Sequence, residues 1–389
     1  MRAPDVALIS PYPAPGERHG GRSGVASYAA QLAGALTAQG AAVTVVAPAE
    51  DREAAVATDG AVRIERPFTR GPRALVRAAA AARATGAPTV HLQHETFLYG
   101  GPSSVPALAP ALAGLRRARR GVVVTMHHVV DPREVDGEFI RVHRVRAPAA
   151  VARAGLGAVQ RMIRRAASAV LVHEPGFAGV VPEAHVVPHG VDPAGPPPDR
   201  DAARDRLSLD RDRLLVLCFG YLAPYKGLEI ALEGALRAGE AVHLVVAGGE
   251  HPRLQAAGDG YARRLREHWG DRATFTGYVA DAEVRDWFAA ADVALLPYPR
   301  PFATSGPLAI ALSTGTPVLL SEPLARCAGA AALAAVAPDA DSIAARLRVL
   351  ATDAAERARL AAASRAMALD RTWPVVAQRH LDVYAEVRP

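Results

Sequence analysis

The stretch VALLPYPRPFATSGPLAIALSTGTPVLL, residues 293–320, decides how this chain is read. Its opening apolar run, 293–296, has the character of a parallel strand buried on both faces. A loop with prolines at 297, 299 and 301 follows, then Thr304, Ser305 and Gly306. Residues 307–312 form an apolar helical stretch that Gly315, Thr316 and Pro317 end, and 318–320 begin another strand. The helix start carries two hydroxyl side chains and a glycine, with Pro307 suited to the first turn. Backbone N–H groups at such a start face the preceding loop, backed by the positive end of the helix dipole. The arrangement suits a phosphate or diphosphate as well as it suits an ordinary capped βαβ turn.

Working outward, the chain's 389 residues exceed what one hydrophobic core usually holds, so two domains are expected. The two cysteines, Cys218 and Cys327, lie far apart, which argues against a disulfide framework and for a reducing cytoplasm. No signal-peptide h-region opens the sequence, and the apolar run near 105–115 is broken by proline, so no membrane span is expected. The formal net charge is +6. Arginines cluster at Arg116, Arg117, Arg119 and Arg120, and at Arg161, Arg164 and Arg165. They read first as solvated helix faces, with an anionic lipid surface or an anionic substrate as the minority readings. Few aromatics interleave with them, which argues against nucleic acid.

In chain order, residues 6–9 read as a first strand and 10–24 as a loop holding Gly16, Gly20, Gly21 and Gly24. A helix at 25–39 and a strand at 42–46 complete a βαβ opening. The glycines do not spell G-x-G-x-x-G, so a nicotinamide cofactor is not supported. Further strands are expected at 62–64, 89–93, 122–126, 169–173 and 185–187, with helical patterns between most of them. This alternation predicts a doubly wound parallel sheet that binds ligands at the strands' C-terminal ends. The segment 190–213 is proline-rich, then charged, and reads as a linker. The pattern then restarts, with strands at 214–219, 242–247, 274–275 and 292–296 and helices from 225, at 253–268 and at 281–290. Asp339 and Asp341 precede another helix and read as its cap rather than as a metal site. An amphipathic helix, 373–387, ends the chain.

Four polar or glycine-rich loops follow strands, at 20–24, 125–128, 219–227 and 304–306. The third reads FGYLAPYKG, and Lys226 beside Gly227 is well placed to hold a phosphate. Two α/β domains with such loops invite a ligand between them.

The chain resembles the GT-B-fold retaining glycosyltransferases of family 4, particularly a mannosyltransferase-like subgroup. The resemblance spans nearly the whole sequence: HGGRSGVASYAAQLAGAL near the start, HLQHETFLYGG (91–101), VVVTMHH (122–128), VVPHGVD (186–192), FGYLAPYKGLE (219–229), VVAGGEH (245–251), GYVADAEVRDWFAAADVALLPY (277–298) and the stretch quoted first. It implies two Rossmann-like doubly wound domains facing a cleft, with the C-terminal helix crossing back to the first. It also implies domains at 1–190 for the acceptor and 214–368 for the nucleotide sugar, a linker at 191–213 and the final helix in 369–389.

By resemblance, the donor would be held by Gly20, Gly21, Lys226, Gly277, Tyr278, Val279, Thr304, Ser305 and Gly306. His127 and Lys226 would be the catalytic groups, and Gly24, His94 and Glu95 would face the acceptor. Of the adjacent histidines, the strand geometry points one away from the cleft, and the resemblance selects His127 as the one that faces it. The sequence departs from the family where two glutamates commonly stand, at Phe302 and Ile310, and where an arginine commonly precedes the lysine, at Tyr221. Arg22 or Arg300 are the candidates to replace that arginine.

The expected activity is transfer of a hexose-type sugar, with retention, from a GDP-sugar first or a UDP-sugar second to a small-molecule or lipid acceptor. It needs no metal and no cofactor beyond the nucleotide sugar, and it would operate in the cytoplasm, with contact at a membrane surface left open. The rivals are a nucleotide-sugar 2-epimerase of the same fold and a catalytically impaired sugar-nucleotide-binding protein.

Overall fold

The computed structural model describes residues 3–17, 23–51, 53–192 and 199–389. Among them two sheets form, one of eight strands and one of six. The first comprises β1 (Val6–Ile9), β2 (Val43–Pro48), β3 (Val56–Asp59), β4 (Val62–Phe68), β5 (Thr89–His94), β6 (Gly121–Met126), β7 (Ala169–Val172) and β8 (His185–Val186). Its order is β3-β4-β2-β1-β5-β6-β7-β8, parallel except for the β3/β4 pair. The second comprises β9 (Leu214–Phe219), β10 (Val242–Ala247), β11 (Thr274–Gly277), β12 (Val293–Leu296), β13 (Val318–Ser321) and β14 (Ala334–Val336). Its order is β11-β10-β9-β12-β13-β14, parallel throughout.

The central strands are continuous apolar runs because helices cover both their faces. In β1, β6 and β12 every residue is buried. Strand order reverses between β1 and β5 in the first sheet and between β9 and β12 in the second. A doubly wound sheet opens a crevice beyond its strand ends at that switch point. The loops after β9 and β12, which carry Lys226 and the Thr304–Gly306 turn, therefore leave the same crevice. The loops after β1 and β5 do so on the other sheet.

The stretch read as a linker holds a helix, Arg200–Arg206, fixed to the second sheet. Fully buried Arg204 donates to the Ala290 carbonyl at 2.9 Å and to Asp292 Oδ2 at 2.5 Å. Asp292 also accepts from Arg200 Nε at 2.8 Å and from the Leu215 N–H at 2.8 Å. A charge buried in this way tolerates no loss of its partner, because the other ion is then left unpaired in a low dielectric.

The two domains also meet where the chain crosses between them. Val191 N–H donates to the Arg371 carbonyl at 2.7 Å. A Cβ on Gly190 would fall 2.3 Å from Trp373 Cδ2, so this crossing has room only for glycine. The helix Trp373–Val387 then lies on the first domain. Its His380 Nε2 is 3.3 Å from the Tyr28 hydroxyl, and its Tyr384 hydroxyl is 2.7 Å from His91 Nδ1.

Two further local features differ from the sequence reading, and one expected cap is present. The single helix expected at 253–268 is two, Pro252–Ala256 and Tyr261–Trp269, because Gly258 and Gly260 take positive φ between them. β3 was not anticipated, and its half-exposed VATD pattern explains why. Asp339 does cap the helix Ala340–Thr352, accepting from the Ser342 N–H at 2.8 Å.

Asp292→Ala is expected to destabilise the fold by about 3–5 kcal/mol, the usual penalty for stranding a buried ion. Urea denaturation followed by tryptophan fluorescence measures it. A loss within the scatter of surface substitutions, about 0.5 kcal/mol, would show that the pair does not anchor the 200–206 helix.

Candidate active site

The second domain supplies a cationic half-site. After β9 the chain turns at Gly220 (φ 98°) and makes a short 3₁₀ turn, Pro224–Lys226, that Gly227 ends in the left-handed region (φ 67°). This turn carries Lys226 inward, and the residue is 6 % exposed. Its ammonium donates to the Phe219 carbonyl at 3.3 Å and has no carboxylate partner among the described residues. Burial pushes its pKa down to about 8, because desolvation disfavours the charged form. A Cβ on Gly220 would lie 2.7 Å from Lys226 Nζ and 3.3 Å from Pro307 Cγ. Glycine at 220 therefore leaves open a space onto which the ammonium and the first turn of the helix Gly306–Thr314 converge.

That helix start has the expected chemistry. Ser305 caps it, its Oγ accepting from the Leu308 N–H at 3.2 Å. Gly306 N–H, at the first helical position, has no intrahelical acceptor. Thr304 Oγ1 is buried without a hydrogen-bond partner. The buried ammonium and the helix start thus converge at Gly220, and among the described residues no carboxylate pairs with Lys226. The loops after β10 and β11 flank this spot. Gly248 pairs with Gly277 (φ 74°), Tyr278 is 68 % exposed and Val279 is buried. Tyr221, in the place of the expected arginine, is exposed and lies edge-on to His251 with ring centres 5.8 Å apart.

The first domain supplies the facing wall. β5 and β6 pair with His94 opposite Met126, and the His127 N–H donates to the His94 carbonyl at 3.0 Å. His94 is buried, and burial first, then the neighbouring His128, brings its pKa down to about 4. His127 is also buried, within a group of side chains that the sequence reading missed. Its Nδ1 lies 3.3 Å from His173 Nε2 and its Nε2 lies 2.7 Å from the Gln93 side-chain amide. Gln93 in turn reaches His91, which meets Tyr384. His173 donates Nδ1–H to the Val187 carbonyl at 2.9 Å. That bond fixes its Nε2 as an acceptor and makes His127 Nδ1–H the donor. In the structure Gln93 Oε1 faces His127 Nε2 and Gln93 Nε2 faces His91 Nε2; with every ring neutral, the chain is satisfied when that amide is turned over. Both His127 nitrogens are therefore engaged within the protein. The one sequence trace of this network is the polar pair His91 and Gln93, two residues apart in an otherwise apolar strand.

His128 is oriented differently. It is partly exposed and lies 3.6 Å from Glu95 through its Nε2. Gly24 is the first residue of the helix Gly24–Ala38, whose cap is Ser23. Gly20, Gly21 and Arg22 lie outside the described residues.

The halves touch directly. His128 bridges Ala303, and Val129 N–H donates to the Phe302 carbonyl at 2.8 Å. Phe302 packs against His128, His143 and Tyr225, at ring-centre distances of 5.1, 4.6 and 5.1 Å. Phe302 thus plugs a small apolar cluster around Val130, Val135 and Phe139. Ile310 packs on the second domain's core. Arg300 was a candidate to replace the missing arginine, but it is committed to Asp136 at 2.9 Å and Glu138 at 2.8 Å. No group of three or more metal-ligating side chains forms among the described residues.

The fold has known counterparts. A sucrose-phosphate synthase from Thermosynechococcus elongatus superposes with a TM-score of 0.75 at 20 % identity, over 98 % of both chains. Anabaena Alr3699/HepE in complex with UDP gives 0.69 at 15 % identity, over 98 % of this chain and 100 % of that one. The glycosyltransferase WaaG, involved in lipopolysaccharide biosynthesis, gives 0.63 at 17 % identity, over 97 % and 99 %. The fold is GT-B. Residues 213–353 match the family described as "Glycosyl transferases group 1". In sequence the chain is similar to a D-inositol 3-phosphate glycosyltransferase of Xylanimonas cellulosilytica, 32 % identical over 220 residues. The match takes in 52 % of this chain and 51 % of that one, so the chain spans about half the length of the curated relative it matches. The family match, residues 213–353, contains both Lys226 and Gly306.

The buried histidines dictate how the protein responds to acid. His91, His127, His173, His189 and His380 all have pKa values lowered chiefly by burial, to about 3 for His173 and about 4 for His380. The unfolded chain binds protons at these rings below about pH 6.5, whereas the folded chain does not, so stability falls as pH drops through that window. Each ring contributes up to about 1.4 kcal/mol per pH unit. Denaturation midpoints measured between pH 7.5 and 4.5 are expected to fall steeply below pH 6.5, with more than about two protons taken up on unfolding. A flat profile would mean that the rings are solvated.

Proposed function

We propose that this chain is a glycosyltransferase that moves a hexose-type sugar from a nucleotide diphosphate sugar to a hydroxyl of a small-molecule or lipid acceptor. The observation that carries this reading is the Lys226 ammonium, buried without a carboxylate partner beside the helix start at Gly306. Burying an unpaired cation is costly, and the cost is offset when an anionic ligand takes the open position. A diphosphate suits the space in chemistry, because its oxygens accept from Lys226 Nζ, the Gly306 N–H and the Thr304 hydroxyl. These are also the groups that would stabilise a departing nucleoside diphosphate as the glycosidic bond breaks. The same reading places the nucleobase along Gly277, Tyr278 and Val279, and the acceptor along Gly24, His94 and Glu95, with Gly20 and Gly21 at the donor.

His127, expected to be a catalytic group, has both ring nitrogens engaged within the protein, so it is proposed here as a group that holds the wall of the sugar site. Fixed cations and N–H groups supply the charge stabilisation, so the reaction is proposed to run without a metal; retention is proposed from the family resemblance. By subgroup resemblance GDP-sugars are the first donors to try. UDP-sugars are second, in keeping with the UDP bound to the Anabaena neighbour. A binding protein without turnover remains the reading to compare, because Phe302, Ile310 and Tyr221 stand where the resembled family commonly has charged groups.

Lys226→Met separates binding from stability. Without ligand the variant is expected to melt higher than the native chain, because it no longer buries a cation. UDP or GDP should then raise its melting temperature far less than they raise the native one. Anion binding favours protonated Lys226, so native affinity should decline as pH rises through about 8, and the variant should lack that decline. In turnover, loss of one such contact costs about a hundredfold or more. A variant with native nucleotide affinity and native kcat would show that the diphosphate sits elsewhere.

A further inference from the structure

We propose that Tyr221, His251 and Tyr278 wall a recess that stacks a purine base, so that the donor is a purine nucleoside diphosphate sugar held by its base as much as by its phosphates. This rests on the diphosphate reading of Lys226 and deepens it: it names the nucleotide class and gives a role to Tyr221, the residue that stands where the resembled family commonly has an arginine.

The recess has a floor of bare backbone. β11, β10 and β9 lie side by side in the second sheet, so the loops that follow them leave it together. The Gly220 N–H donates to the Ala247 carbonyl at 2.8 Å, and the Leu222 N–H donates to the Gly249 carbonyl at 2.9 Å. Gly248 bridges Gly277 in turn. Gly220, Gly248 and Gly277 all take positive φ, at 98°, 153° and 74°. A Cβ on Gly248 would fall 2.3 Å from the Gly220 carbonyl oxygen, whereas one on Gly277 would meet nothing within 4 Å. Glycine at 248 thus lets two loops close on each other, and glycine at 277 keeps the space beside them open. A surface without side chains is one that a flat ring can approach closely.

Each of the three loops raises an aromatic ring beside this floor. Tyr221 follows Gly220, Tyr278 follows Gly277, and His251 belongs to the loop after β10. Tyr221 and His251 lie edge-on with ring centres 5.8 Å apart. Tyr278 stands over Gly249, where a Cβ would lie 3.5 Å from its own Cβ. The pKa of Tyr221 is raised by burial first and then by Tyr278 and Asp281, as expected of a phenol that leans toward the loop after β11. Both tyrosines nevertheless stay accessible, at 40 % and 68 % exposure. Neighbouring aromatic faces left in water mark a binding surface, and a planar ligand covers them at little entropic cost.

The recess also runs directly into the anion cradle. A Cβ on Gly220 would lie 2.7 Å from Lys226 Nζ, and Tyr221 is the next residue. A nucleotide with its phosphates at Lys226 therefore has the glycine floor and the two tyrosines along one side. An arginine at 221 would offer that ligand a second cation. Tyrosine offers a π-face instead, which moves affinity from the phosphates to the base. A purine has two fused rings to stack where a pyrimidine has one, and so gains more.

Calorimetry on the full chain with GDP, ADP, UDP and inorganic pyrophosphate tests this. The better of GDP and ADP is expected to bind about threefold or more tighter than UDP. Tyr221→Leu and Tyr278→Leu should each weaken that purine nucleotide by about fivefold or more, and pyrophosphate by less than about twofold. Tyr221→Phe should bind as the native chain does, because stacking needs the ring and not the hydroxyl. The proposal is overturned if UDP binds as tightly as the better purine nucleotide, or if both leucine variants, folded with native melting temperatures, keep native nucleotide affinity. It is also overturned if they lose pyrophosphate in the same proportion as nucleotide, since the tyrosines would then act on the phosphates. Lys226→Met separates the two readings. If it loses nucleotide and pyrophosphate while the leucine variants lose neither, the diphosphate site stands and the recess alone falls. If the native chain binds neither nucleotide nor pyrophosphate, the diphosphate reading falls and the recess falls with it.

Discussion

A lysine ammonium held out of water next to the positive end of a helix is an arrangement that a protein sustains only against an opposing cost. Lys226 is in that position, and the surrounding structure maintains it. Gly220 leaves room for the ammonium, Gly227 makes the turn that brings it inward, and the Phe219 carbonyl is its hydrogen-bond partner. The sheet order puts β9 and β12 side by side, so the lysine loop and the Ser305 cap leave one crevice. An uncompensated positive potential in a dry crevice selects for anions and strengthens each hydrogen bond they accept.

The second constraint is the contact across the cleft. Phe302 is joined to the first domain by a backbone hydrogen bond and by two aromatic rings, His128 and His143, and Arg300 by two carboxylates. The segment leading into the anion cradle is thereby held by the wall opposite it. Phe302, one of the residues that depart from the resembled family, is used for this closure. Phe302 fills an apolar cluster where a charge would be poorly solvated, and Arg300 is paired before any ligand arrives. In the proposed site the second domain supplies Lys226, Thr304 and Gly306.

Much of the fold was legible because strongly periodic segments carry their own boundaries. The strands Leu214–Phe219 and Val242–Ala247 and the helices Asp281–Ala290 and Trp373–Val387 fall where apolar spacing, caps and prolines put them. Segments whose structure depends on distant partners were not legible. The helix Arg200–Arg206 looks like charged linker until Arg204 is seen to meet Asp292, 88 residues away. In the site, Lys226 and the Ser305 cap were readable because both depend on local turn chemistry. Strand alternation separates His127 from His128, yet no local pattern reveals that His127 is tied to Gln93 and His173. The commitment of Arg300 to Asp136 and Glu138 is hidden in the same way, across more than 160 residues.

The central claim is that the open side of Lys226 is a diphosphate site completed by the helix start at Gly306. A crystal structure of the native chain with UDP or GDP tests it most directly. The account predicts phosphate oxygens at about 2.7–3.2 Å from both Lys226 Nζ and the Gly306 N–H. A nucleotide bound with its phosphates away from both, and Lys226 still turned to the Phe219 carbonyl, would contradict it.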